Sequence, residues 1–156
     1  FQCRTIGEAR SLARMLAAHC PLPAKAEIGL FELLINAIEH GNLEIDASEK
    51  ALLLEQDKLL EEIERRLDTK PYSERKVTIT LSAPPEEIRF LIEDEGKGFD
   101  WRHYLNHEPA TLDQPLGRGI LLARKVSFDR IRYNRNGTAV TAIICLSKNS
   151  GKYPIL

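Results

Sequence analysis

Apolar positions recur at steps of three and four over the first half of the chain, and at steps of two over much of the second. Residues 8–19 place Ala9, Leu12, Leu16 and His19 at helical spacing, and Pro21 and Pro23 then stop the helix. Over 25–40, Ile28, Phe31, Leu34, Ile35 and Ile38 predict a packed amphipathic helix whose other face carries Glu32, Asn36, Glu39 and His40. Gly41 and Asn42 are placed to end it in a left-handed conformation. A third helix is predicted over 48–68, with Ser48 as N-cap and a stripe of Leu52, Leu59, Leu60, Ile63 and Leu67 on a charged cylinder.

The period then shortens. Val77, Ile79 and Leu81 alternate with polar neighbours in 75–81, and Ile88 to Ile92 forms a second strand after a turn at Ala83-Pro84-Pro85. Residues 95–119 are polar and glycine-punctuated, and Pro109 and Pro115 exclude a long regular element there. A short helix is expected over about 119–127. Closing strands near 128–134 and 138–146 are joined by Asn134-Arg-Asn-Gly137, in which Asn136-Gly137 is a strong hairpin signal. This order predicts one two-layer α/β sandwich over 1–156, with helices on one face of a mixed, mainly antiparallel sheet.

Composition narrows the partners. Of 156 residues, 22 are basic and 23 acidic, so the basic excess typical of duplex nucleic-acid binding is missing and no direct nucleic-acid partner is expected. No apolar run reaches membrane-spanning length, and Cys3, Cys20 and Cys145 are too few and too scattered for a disulfide framework. A cytoplasmic protein is the expectation. The chain opens on Phe1, as a segment cut from something longer would.

Three motifs carry the chemistry. Glu32-Leu-Leu-Ile-Asn36-Ala-Ile-Glu-His40-Gly41-Asn42 sets Glu32 and Asn36 one turn apart on one helical face. Glu93-Asp94-Glu95-Gly96-Lys97-Gly98-Phe99-Asp100 begins at the carboxyl end of a strand. Leu116-Gly117-Arg118-Gly119-Ile120 opens a helix, where backbone amides can hold an anion, although it fits neither the phosphate-loop nor the dinucleotide pattern. Taken alone, the second motif reads as an ordinary turn. The set in this order resembles the superfamily of gyrase, heat-shock chaperone, histidine-kinase and mismatch-repair ATPases, over roughly residues 8–146. Within it, Glu-x-x-x-Asn-Ala-x-x-His-Gly-Asn looks most like the serine kinases that act as bacterial anti-sigma factors.

That resemblance implies ATP and Mg²⁺ as cofactors. Asn36 would offer its amide oxygen to the metal, which favours hard oxygen ligands. Glu32 would take a proton from an attacking hydroxyl or orient a water. Asp94 would accept a hydrogen bond from the adenine amine, Gly96 and Gly98 would let backbone approach base and sugar, and Thr138 would supply a second adenine contact. Thr138 also reads simply as a strand residue, and His40 as a brace of the helix end. Gly117 and Gly119 would bind phosphates, while Arg118 would neutralise phosphate, meet a partner or face solvent. Residues 100–118 would form a flexible lid, anchored near its start by Trp101, Tyr104 and Leu105.

The implied partners are an antagonist protein bearing an acceptor Ser or Thr, a sigma factor, and a second copy of the chain in a homodimer. A non-catalytic, ATP-gated binding module is the alternative. The helix at 48–68 departs from the compact anti-sigma kinases, and reads either as a reshaped partner surface or as an exposed charged helix that only packs.

Overall fold

The computed structural model describes residues 1–99, 101, 119 and 123–146. Five strands form one antiparallel sheet in the order β1-β2-β3-β5-β4, with β1 Gln2–Cys3, β2 Val77–Ser82, β3 Glu87–Glu93, β4 Arg130–Tyr133 and β5 Ala139–Cys145. Every described pairing is antiparallel, so the parallel component expected of a mixed sheet does not occur among these strands. The period-2 pattern explains the orientation: Val77 and Ile79 of β2, Ile88, Phe90 and Ile92 of β3, and Val140 and Ala142 of β5 are all buried.

Helices α1 Ile6–Ala17 and α2 Pro23–Asn36 pack against one another and supply the other half of the core. Thr5 and Glu8 start α1 with a reciprocal capping box, Glu8 N donating to Thr5 Oγ1 at 3.2 Å and Thr5 N to Glu8 Oε2 at 3.1 Å. His19, expected on the apolar side of this helix, lies beyond its end and is exposed, while Cys20 turns inward. In α2 the buried face runs through Ala26, Leu30, Leu33 and Leu34, and Ile28 is exposed. Gly29 is pressed against Ser127 and Phe128, where a Cβ would overlap both side chains; this brings the segment Ala123–Ser127 onto α2.

Two sequence expectations are corrected here. The first helix-ending signal fails: α2 does not stop at Gly41 but widens into a π-helical turn, Ala37–Asn42, with Leu43 N bonded to Ile38 O at 2.8 Å. Glu44, at φ 54°, takes the left-handed position instead. The second is the helix at 48–68, which is two helices, α3 Ala47–Glu55 and α4 Leu59–Leu67. Asp57 at φ 55° breaks them apart, and the N-cap of α3 is Asp46, whose Oδ1 accepts from Glu49 N at 2.8 Å. Only Ile63 of the predicted stripe is fully buried, and Leu52 and Leu60 face solvent. Arg66 pins this helical pair to the body: it donates to Leu43 O at 2.7 Å and pairs with Glu62 and Glu49.

Candidate nucleotide site

The carboxyl ends of α2 and β3 meet the β4–β5 hairpin around an open recess of about 310 Å³, at the low end of the roughly 300–1,000 Å³ usual for small-molecule sites. Leu33, Ile92 and Val140 give it an apolar floor, Phe99 and Tyr133 an aromatic wall, and Asn36 and Asp94 its polar groups.

Asp94 leaves β3 with its amide bonded to Thr138 O at 2.9 Å, so the last strand fixes where its side chain begins. Its Oδ1 accepts from Gly96 N at 2.9 Å, which aligns the carboxylate. Burial raises the Asp94 pKa to about 6 against that hydrogen bond and the field of Arg75. Two glycines make the geometry possible. Gly41 lies so close to Asp94 that a Cβ would overlap the carboxyl group, and a Cβ on Gly96 would overlap the Gly41 carbonyl. The glycine of the first motif is therefore needed for close approach and not for a left-handed turn.

Asn42 completes this junction. It is 2% exposed, its Oδ1 accepts from Glu95 N at 2.8 Å, and its Nδ2 is a buried donor with no partner. Its carbonyl takes Arg75 Nη1 at 2.7 Å, and Arg75 also bonds Glu44, which reaches on to Lys97 at 2.8 Å. Gly98 has φ 78° and sits against the Asn136 carbonyl, and Phe99 N donates to that same oxygen at 3.1 Å. Trp101 stacks on Tyr133 with centroids 5.7 Å apart and donates from Nε1 to Asn134 O at 2.8 Å, anchoring the chain as it leaves this loop. Thr138 sits in the hairpin with its hydroxyl bonded to Asn134 Nδ2 at 3.0 Å, and it meets Asp94 through its carbonyl.

Glu32 and Asn36 lie at the other end. Both are half-buried, and Gly119 packs over them: a Cβ on Gly119 would overlap Glu32 Oε2 and stand 3.6 Å from Asn36 Nδ2. Burial raises the Glu32 pKa, Lys50 lowers it and Glu39 raises it further. His40 Nδ1 lies 2.6 Å from Ile45 O, bracing the end of the wide turn, and burial lowers its pKa. The structure thus brings together Glu32, Asn36 and Gly119 at one end, and Asp94, Gly96 and Gly98 at the other. Gly117, Arg118, Tyr104, Leu105 and all of the expected 100–118 lid except Trp101 lie outside the described residues.

Sequence reasoning passed over Lys50, Asn42, Arg75 and Tyr133. Only Asn42 stood within a motif; the others are brought in by tertiary packing that no local pattern announces.

One amide oxygen beside one carboxylate is a sparse donor set, and the described residues contain no cluster of three or more His, Cys, Asp or Glu able to hold a metal ion by themselves. It fits a hard cation that arrives with phosphate and water oxygens, which is how Mg²⁺ is usually bound.

An adenine-reading carboxylate, glycine-lined backbone approach and an Asn-bearing helix on a two-layer sandwich define a nucleotide-binding ATPase fold. The chain belongs to the histidine kinase-like ATPase domain family, whose model matches residues 2–144. It is accordingly an ATP-binding domain of the kinase-like ATPase class. No curated protein matches it. Among the described residues no helix is long and apolar enough to cross a membrane.

Proposed function

We propose that this domain is an ATP-dependent protein serine/threonine kinase of the anti-sigma factor type, which phosphorylates an antagonist protein and regulates a partner such as a sigma factor. The observation that carries the reading is Glu32, a half-buried carboxylate one helical turn before Asn36 and directly against Gly119. A carboxylate there stands where a base is wanted, and burial moves its pKa toward the working range of a general base.

In this reading the adenine enters the recess, with its amine donating to Asp94, and the phosphates run toward Gly119. Asn36 would hold Mg²⁺, which supplies charge neutralisation across the β- and γ-phosphates. The hydroxyl of an acceptor Ser or Thr attacks the γ-phosphorus; its P–O bond forms as the bond to the β-phosphate oxygen breaks, and ADP leaves. Glu32 accepts the hydroxyl proton. The protein acceptor must displace water from the same position, so partner docking and chemistry share one surface. Pairing of two copies and a cytoplasmic setting belong to the same reading.

The test is incubation with Mg-ATP and a candidate antagonist, followed by detection of phosphoserine or phosphothreonine. Stoichiometric transfer that Glu32→Gln abolishes is the expected result. Nucleotide-dependent partner capture with no phosphate transferred would replace the kinase by an ATP-gated binding module.

A further inference from the structure

Glu39 is 4% exposed, one of only two buried polar or charged side chains among the described residues, and it forms an ion pair with Lys50 of α3. A buried carboxylate needs such a partner, because leaving it alone is strongly destabilising. That need would account for Lys50 as packing alone, except for where its charge falls. The field of Lys50 also reaches Glu32, and Glu32 touches Gly119. The neighbouring groups add no compensating positive charge: His40 is held neutral by burial and bonded to Ile45 O, and Asp46 is acidic and caps α3. Arg118 lies outside the described residues. Glu32, Glu39 and Lys50 therefore sum to one negative charge at the end of the site that must receive a polyphosphate.

We infer that Lys50, delivered by α3 and held by Glu39, is the resident counter-charge of the phosphate end, admitting a triphosphate beside two carboxylates and favouring ATP over ADP. This rests on the reading of Glu32 and Gly119 as the phosphate end. It gives the α3–α4 pair a function beyond packing, since that pair places the lysine. The terminal phosphate adds its charge closest to Glu32, so the effect of Lys50 is larger for ATP than for ADP.

Calorimetric titration with Mg-ATP and with Mg-ADP at low salt tests this without any need for phosphate transfer. Lys50→Met should weaken Mg-ATP about tenfold and Mg-ADP about threefold, the size expected of one charge at close range in a half-buried site. Lys50→Arg should stay near wild type. Glu39→Gln should tighten Mg-ATP, because it removes a negative charge while leaving the lysine. The Lys50→Met/Glu39→Gln double variant, with wild-type net charge and no buried charge left alone, should return close to wild type. An ion pair that only packs would weaken binding in both single variants and leave the ATP-to-ADP ratio unchanged; that pattern overturns the inference. Should Lys50→Met fail to fold, tighter binding by Glu39→Gln and near-wild-type binding by the double variant still decide it. A wild-type protein that binds neither nucleotide would remove the nucleotide-site reading itself, a result distinct from normal binding that is indifferent to Lys50.

Discussion

Gly41 and Asp94 stand so close that the carboxyl group of one occupies the space a side chain on the other would need. The contact joins the end of the α2 turn to the end of β3, and so sets the distance between the two halves of the site. Gly41→Ala should cost about 1–3 kcal/mol, the usual range for overpacking. It should also lower nucleotide affinity by displacing Asp94. Thermal unfolding alongside calorimetric titration checks both; an unchanged melting temperature with unchanged affinity would mean that the junction yields easily.

Asp94 should make stability and binding depend on pH in opposite senses. Its folded-state pKa of about 6 lies above the ordinary 3.8, so the fold favours the protonated form. The stabilising contribution is complete below the unfolded value and is lost as pH rises through about 6. Asp94→Asn should therefore stabilise the protein at neutral pH, by about 1–2 kcal/mol after discounting for partial exposure. Adenine recognition instead needs the carboxylate, so Mg-ATP affinity should fall as pH drops through 6, and the variant should bind weakly at every pH. Titrations and denaturant melts at pH 5 and 8 give both slopes.

Glu32→Gln should leave nucleotide affinity within a few fold, yet lower phosphate transfer by roughly a hundredfold to ten-thousandfold, the scale of lost general-base catalysis. Because burial raises the Glu32 pKa, the acid limb of the rate profile should lie above that of a free glutamate. A variant that keeps its turnover would remove Glu32 from the chemistry.

Arg66 bonds Leu43 O, Glu49 and Glu62 from an 11% exposed position. Arg66→Ala should destabilise by about 3–5 kcal/mol, as breaking a buried pair does. Arg66→Lys should rescue little, since an ammonium cannot span three acceptors with a planar fork. Urea melts measure both.

Much of this architecture was legible in the sequence, because its signals are local. Alternation in Val77, Ile79, Ile88, Phe90 and Ile92 gave the central strands, and Asn136-Gly137 gave the hairpin, whose Gly137 has φ 76°. Failures came where packing outweighs local preference. Gly41 looks like a helix stop, yet it is required by Asp94, which lies 53 positions later. Asp57 carries no breaker signal as strong as glycine, so α3 and α4 read as one helix. Strand β1 has two residues, too few for any period, and exists because β2 offers Thr78 and Val77 as partners. At the site, residue types and spacing pointed to Glu32, Asn36 and Asp94. Lys50 was hidden because its partner Glu39 is buried only once the wide turn has formed.

That turn at Ala37–Asn42 has a consequence for any change in chain length. Deleting one residue from it would restore ordinary helical winding and swing everything beyond by about 100°. Glu32 and Asn36 would keep their places, while Glu39 would point away from α3 and Gly41 away from Asp94. The number of residues between Asn36 and Asp46 is thus as constrained as their identities, and a homologue one residue shorter there would have to rebuild two contacts at once.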